Sequence, residues 1–164
     1  MKTPARIKGH PIHALSIVLP LGALSMSVII DVINLIDERQ IWKDAAYVLI
    51  GLGVLAGLLV AVPGLIDWLS IPAENDAKSI GLLHAASNSI GLILFGFSWY
   101  LRYDQPDSWS TFAFVCSLLG IGALSAGGWL GGEMVYRHGI GVDLVPPAAF
   151  REPEHQQSIP SRSR

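Results

Sequence analysis

Residues 45–66 read AAYVLIGLGVLAGLLVAVPGLI, 22 positions without one Asp, Glu, Lys or Arg. A helix rises about 1.5 Å per residue, so this run covers the ~30 Å hydrocarbon layer of a bilayer. Three more runs share its character: Ala14–Ile36, Ile80–Leu101 and Ser110–Leu130, of 23, 22 and 21 residues. The first holds one charge, Asp31; the third is uncharged but carries His84 and Asn88; the fourth has no charge. Across the chain 51% of residues are hydrophobic and 15% charged, against about 25% charged in soluble domains. A soluble reading would need four core helices apolar on every side, in a chain too small to wrap them. The pattern predicts an all-α, four-helix transmembrane bundle, up-down-up-down, as one domain over residues 1–142, with a flexible C-terminal tail over 143–164.

The connections fit four spans. Residues 37–44 (DERQIWKD) form a charged link with Asp44 placed to cap the second helix. Residues 67–79 (DWLSIPAENDAKS) end at a Ser79 cap, and residues 102–109 (RYDQPDSW) turn at Pro106 and Asp107. All five tryptophans fall at or near helix ends, where an interfacial belt belongs. Lys2, Arg6 and Lys8 resemble the basic start of a signal peptide, but the following run is too long and contains Asp31 and Asn34, so it is expected to be retained. Lys and Arg are more numerous on the side that holds both termini, which predicts a cytoplasmic N- and C-terminus in a cytoplasmic (inner) membrane. The net charge of −2 and the lack of a basic, aromatic-interleaved patch exclude nucleic acid as a partner. Cys116, the one cysteine, is a small buried apolar residue in this reading.

Membrane helices associate through small residues and interhelical hydrogen bonds, because lipid is as apolar as leucine. Small or polar residues recur at three-and-four spacing in all four helices. The seams are His13, Ser16, Pro20, Ala23, Ser27, Asp31, Asn34; Gly53, Gly57, Val60, Gly64, Asp67; Gly81, His84, Asn88, Gly91, Phe95, Ser98; and Cys116, Gly120, Ala123, Gly127, Gly131. The glycines either pack helices or clear space for a flat cofactor. Asp31 is either a proton-carrying carboxylate or a partner for Arg39, Lys43 or Arg102.

Up-down topology brings His10, His13, Asp67, His84, Glu133 and His138 to one depth, contributed by all four helices. Imidazole is the commonest metal ligand, and an ionisable group in a membrane seam is costly unless used. His13 and His84 are the first pair for the axial positions of a b-type haem, with His10 and His138 as further cofactor candidates. The alternative is a transition-metal ion held by a mixed set from His10, His13, Asp67, His84, Glu133 and His138. Each histidine could instead make a structural interhelical hydrogen bond, His84 to Asn88 or to a backbone carbonyl. No serine has a nucleophile-elbow context, no loop cradles phosphate, and no catalytic residue is assigned. A repeat-built transporter is disfavoured because the first two helices show no resemblance to the last two beyond apolarity.

Four motifs carry a family resemblance: GHPIH at 9–13, GLIDW at 64–68, LHA at 83–85 with Asn88, and GGWLGGEMVYRHGIGV at 127–142. They resemble the bacterial membrane family termed domain of unknown function 2231, over roughly residues 9–142. The resemblance implies a four-span cytoplasmic-membrane protein and carries no fixed activity. Relatives joined to Rieske-like or cytochrome modules tilt the expectation toward electron transfer, with a redox protein or a second copy of the chain as partner. The competing expectation is a non-catalytic assembly partner without cofactor.

Overall fold

The structure is a computed structural model that describes residues 2–103 and 108–142. The predicted turn at Pro106 and Asp107 and the tail from residue 143 lie outside the described residues. Two short strands, β1 (Arg6–Ile7) and β2 (His10–Pro11), pair antiparallel ahead of the helices α1 (Ile12–Ser16), α2 (Val18–Asn34), α3 (Gln40–Leu69), α4 (Ala77–Tyr103) and α5 (Thr111–Tyr136). Four helices are long and apolar enough to cross a membrane, counting α1 and α2 as one span over Ile12–Asn34.

That span is interrupted at Ile17. Pro20 cannot donate to the Ser16 carbonyl and its ring crowds that turn. The axis still continues, because Ile17 N–H bonds the His13 carbonyl at 3.2 Å and the Ile17 carbonyl accepts from Leu21 at 3.1 Å. α3 and α4 outrun the uncharged segments at both ends and α5 does so at its C-terminal end, and two expected caps move inside α3 and α4. Asp44 lies within α3 and accepts from the Gln40 side chain at 2.9 Å; Arg39 is the N-cap residue. Ser79 lies within α4, and the Asn75 side chain accepts from Ala77 N–H at 2.9 Å instead. Ser110 does cap α5, accepting from Ala113 N–H at 3.2 Å. A polar side chain on an exposed first turn costs a membrane helix nothing, so the helices run on past the lipid-facing runs.

Contacts are densest between α2 and α3 and between α4 and α5, sparser between α3 and α4, and sparsest between α2 and α5. The bundle is thus two hairpins, with α2 and α4 across one diagonal. The hairpins repeat each other. Asp31 and Arg102 stand 71 residues apart, and the same step relates His13 to His84, Leu24 to Phe95, and Ser27 to Ser98. On the returning helices another constant step relates Ala46 to Ala113, Gly53 to Gly120, Val60 to Gly127, and Gly64 to Gly131. Packing repeats with position: Leu24 fills the notch at Gly53 as Phe95 fills that at Gly120, and His13 fills Gly64 as His84 fills Gly131. Two equivalent pairs, His13 with His84 and Asp31 with Arg102, meet at opposite ends. A pseudo-two-fold axis therefore runs along the bundle between them. This corrects the expectation that the halves are unrelated. Few identities survive because any apolar residue satisfies lipid; the repeat persists in knobs and notches.

Between the two axial pairs lies a dry plug of Leu24, Ile50, Phe95 and Leu124. A second apolar cluster, Ile71, Ala77 and Ile140 with Trp68 and Met134, closes the histidine end.

Candidate functional site: a histidine pair on the bundle axis

His13 opens the first span, half-buried, with Nδ1 3.0 Å from the Val60 carbonyl oxygen of α3. A carbonyl only accepts, so the neutral ring carries its proton on Nδ1 and keeps its lone pair on Nε2. Access to that carbonyl depends on Gly64, one turn further on, where a Cβ would stand 2.7 Å from His13 Nδ1. The second hairpin builds the same device. His84 Nδ1 donates to the Gly127 carbonyl at 2.7 Å, and a Cβ on Gly131 would stand 3.0 Å from His84 Cε1. The two rings meet edge-on, with centroids 6.1 Å apart and planes at 80°. One asymmetry remains: Asn88 Nδ2 lies 3.1 Å from His84 Nε2 and 3.4 Å from Nδ1, over the ring, with the Asn88 amide seated in the notch left by Gly127.

The other residues expected at this depth are engaged elsewhere or turned outward. Asp67 Oδ1 accepts from Ala5 N–H at 2.8 Å, tying the N-terminal segment across the bundle end. Arg6 continues that strap with a 2.7 Å bond from Nη2 to the Gly141 carbonyl. Glu133 pairs with Arg137 at 3.0 Å. His10 is exposed on β2, and His138 falls past the end of α5, which stops at Tyr136. Among the described residues no three His, Cys, Asp or Glu side chains converge closely enough to hold one metal ion. His155 lies outside the described residues. The glycines near the histidines seat imidazole and amide groups, and those of the plug seat Leu24, Leu92, Leu124 and Phe95. The seam glycines are therefore filled by side chains of the neighbouring helices.

At the far end Arg102 grips Asp31 with both guanidinium nitrogens at 2.7 Å, which selects one of the three partners the sequence allowed. Arg102 Nε donates to Ser98 Oγ at 3.3 Å, and Ser98 in turn bonds the Ala113 carbonyl at 2.7 Å and Ser117 at 2.9 Å. Asp31 is 1% exposed. Cys116 is buried, as expected. Sequence reasoning missed the Val60 and Gly127 carbonyls. Their signal was available in the shared spacing, a seam residue followed four positions later by glycine in both returning helices.

Fold and site together define a four-helix membrane protein made of two repeated hairpins with a paired-imidazole centre on their axis. The family model described as predicted membrane protein (DUF2231) matches residues 9–144. The chain belongs to that family. No curated protein and no solved structure matches it.

Proposed function

We propose that His13 and His84 would hold the iron of a b-type haem, and that the chain would carry single electrons at one surface of the membrane. The observation that carries the reading is the matched pair of Nδ1–H to carbonyl bonds, from His13 to Val60 and from His84 to Gly127. Backbone anchoring of Nδ1 fixes the tautomer and orients Nε2 toward a metal, as outer-shell partners of ligating histidines do. The rings, with centroids 6.1 Å apart, would be near enough for both to hold one ion. The described residues supply two nitrogens and no third ligand; a porphyrin supplies four, which favours haem over a bare ion. Bound haem would contribute one-electron chemistry, while the protein contributes ligands, tautomer and a dry surround. The excess of Lys and Arg on the histidine side supports a cytoplasmic placement of this end.

A second reading has its own observation. Asn88, one turn along α4, sets its amide nitrogen 3.1 Å from Nε2 and 3.4 Å from Nδ1 of His84, a close contact within the helix that suits a purely structural histidine. In that reading the protein is a membrane assembly partner without cofactor.

The dithionite-reduced spectrum of detergent-purified protein, with pyridine haemochrome quantification, separates the two. The haem reading expects Soret and alpha bands that are lost in both His13→Ala and His84→Ala. It further expects Asn88→Leu to retain them, since removing that amide frees Nε2. Absence of haem from wild-type protein expressed with haem supplementation would end the first reading in favour of the second.

A further inference from the structure

We propose that the groove between the N-terminal β-hairpin and the first turns of α1 binds an anionic phospholipid, its headgroup at Lys8 and His10 and its upper acyl chain along the groove. The groove is lined by Ile7, Lys8, His10, Ile12, Leu15 and Ser16 and has a volume of about 340 Å³, within the range of small-ligand clefts. It lies at the start of the first helix pair able to cross a membrane, Ile12–Asn34, where a headgroup would pass into hydrocarbon. Ile7 and Leu15 are 63% and 60% exposed, an apolar wall that suits an acyl chain and is costly in water.

Charge selects the headgroup. Neither Lys8 nor His10 makes a side-chain hydrogen bond or ion pair among the described residues. Arg6 on the same hairpin adds a cation, and its guanidinium holds the hairpin in place through the Gly9 and Gly141 carbonyls. Among the described residues no acidic side chain lines the groove. A basic residue at a membrane surface attracts anionic lipid.

Backbone geometry singles out Lys8. Lys8 and Gly9 have φ of 49° and 85°, both positive, as the two central residues of a type I′ hairpin turn require. Asparagine and glycine adopt that region readily; lysine does so at a cost. The chain thus holds an unpaired ammonium at the groove rim in a conformation that lysine disfavours, which points to use of the charge. The inference is independent of any haem.

The test is a titration of detergent-purified protein with phosphatidylglycerol, phosphatidylcholine or inorganic phosphate, followed by thermal unfolding. Phosphatidylglycerol is expected to raise the midpoint at lower mole fraction than phosphatidylcholine, and phosphate to leave it unchanged. Lys8→Asn keeps the turn, so its lipid-free midpoint should equal or exceed that of wild type. It should nevertheless need about fivefold more phosphatidylglycerol for the same shift. Adding His10→Gln should lower the remaining preference further. The proposal is overturned if wild type does not distinguish the two lipids, if Lys8→Asn keeps the full preference, or if phosphate alone reproduces the shift.

Discussion

Gly64 shows how much a single hydrogen decides in this protein. With hydrogen at that position the His13 ring lies against α3 and reaches the Val60 carbonyl; a methyl would stand 2.7 Å from Nδ1. Gly64→Ala must therefore push the imidazole off its acceptor or spread two helices. Overpacking of this kind costs about 1–3 kcal/mol. Gly22 offers the control, since a Cβ there meets nothing within 4 Å, and alanine should leave stability unchanged or raised through helix propensity. Thermal unfolding in one detergent compares the two; equal midpoints would refute the account of the histidine seat. The roles of His13 and His84 as seam residues were legible from spacing, because only a polar residue that is satisfied by a neighbour survives in lipid. Which carbonyls accept from them was marked only indirectly, by the glycines four positions beyond Val60 and Gly127, since a backbone carbonyl has no letter of its own.

At the scale of the elements, the turn between α2 and α3 is held by charge. The Asp37 carboxylate accepts from the Trp42 indole N–H at 2.9 Å and from Arg39 Nε at 2.7 Å, and the Arg39 guanidinium lies 5.1 Å from the centre of the Trp42 ring. The Trp42 hydrogen bond, aided by Arg39 and opposed by partial desolvation, holds Asp37 below the ordinary carboxylate range. A lowered folded-state value means stabilisation that is present above the unfolded-state value and is lost as pH falls through the folded one. Unfolding midpoints should thus drop on acidification below about pH 4, and Asp37→Asn should flatten that part of the profile. A wild-type profile with the same slope as the variant would refute it. The sequence ran this link over residues 37–44 and put caps at Asp44 and Ser79, whereas α3 already begins at Gln40. Hydropathy marks where lipid ends, and helices end where their hydrogen bonds do.

For the whole molecule the repeat makes a prediction that no single residue makes. Asp31 and Arg102 are equivalent positions on opposite sides of the axis, each four residues beyond a buried serine, Ser27 or Ser98. Breaking a buried pair leaves one uncompensated charge and costs about 3–5 kcal/mol. Asp31→Asn and Arg102→Leu should each destabilise on that order. The exchange of both, Asp31→Arg with Arg102→Asp, should recover most of the loss, because a guanidinium placed on α2 can lean on Ser27 as that of Arg102 leans on Ser98. A double-mutant cycle by thermal or denaturant unfolding measures the recovery, and an exchange no better than either single variant would count against the pseudo-two-fold axis. The plug of Leu24, Ile50, Phe95 and Leu124 separates this pair from the histidines, so the cycle is expected to leave any spectral signal of the histidine centre unchanged.

What the sequence determined by itself is the commitment to a bilayer, four crossings and the polar seam of each helix. Lipid penalises every unpaired polar or charged group, so length and hydropathy suffice for those. The tertiary structure alone decided which seam residues meet. Of six side chains expected at one depth it joins two, and of three partners open to Asp31 it selects one. It also revealed that the two hairpins are copies. Such pairings depend on helix rotation and on which notch receives which knob, and those are settled by packing between helices that are distant in the chain.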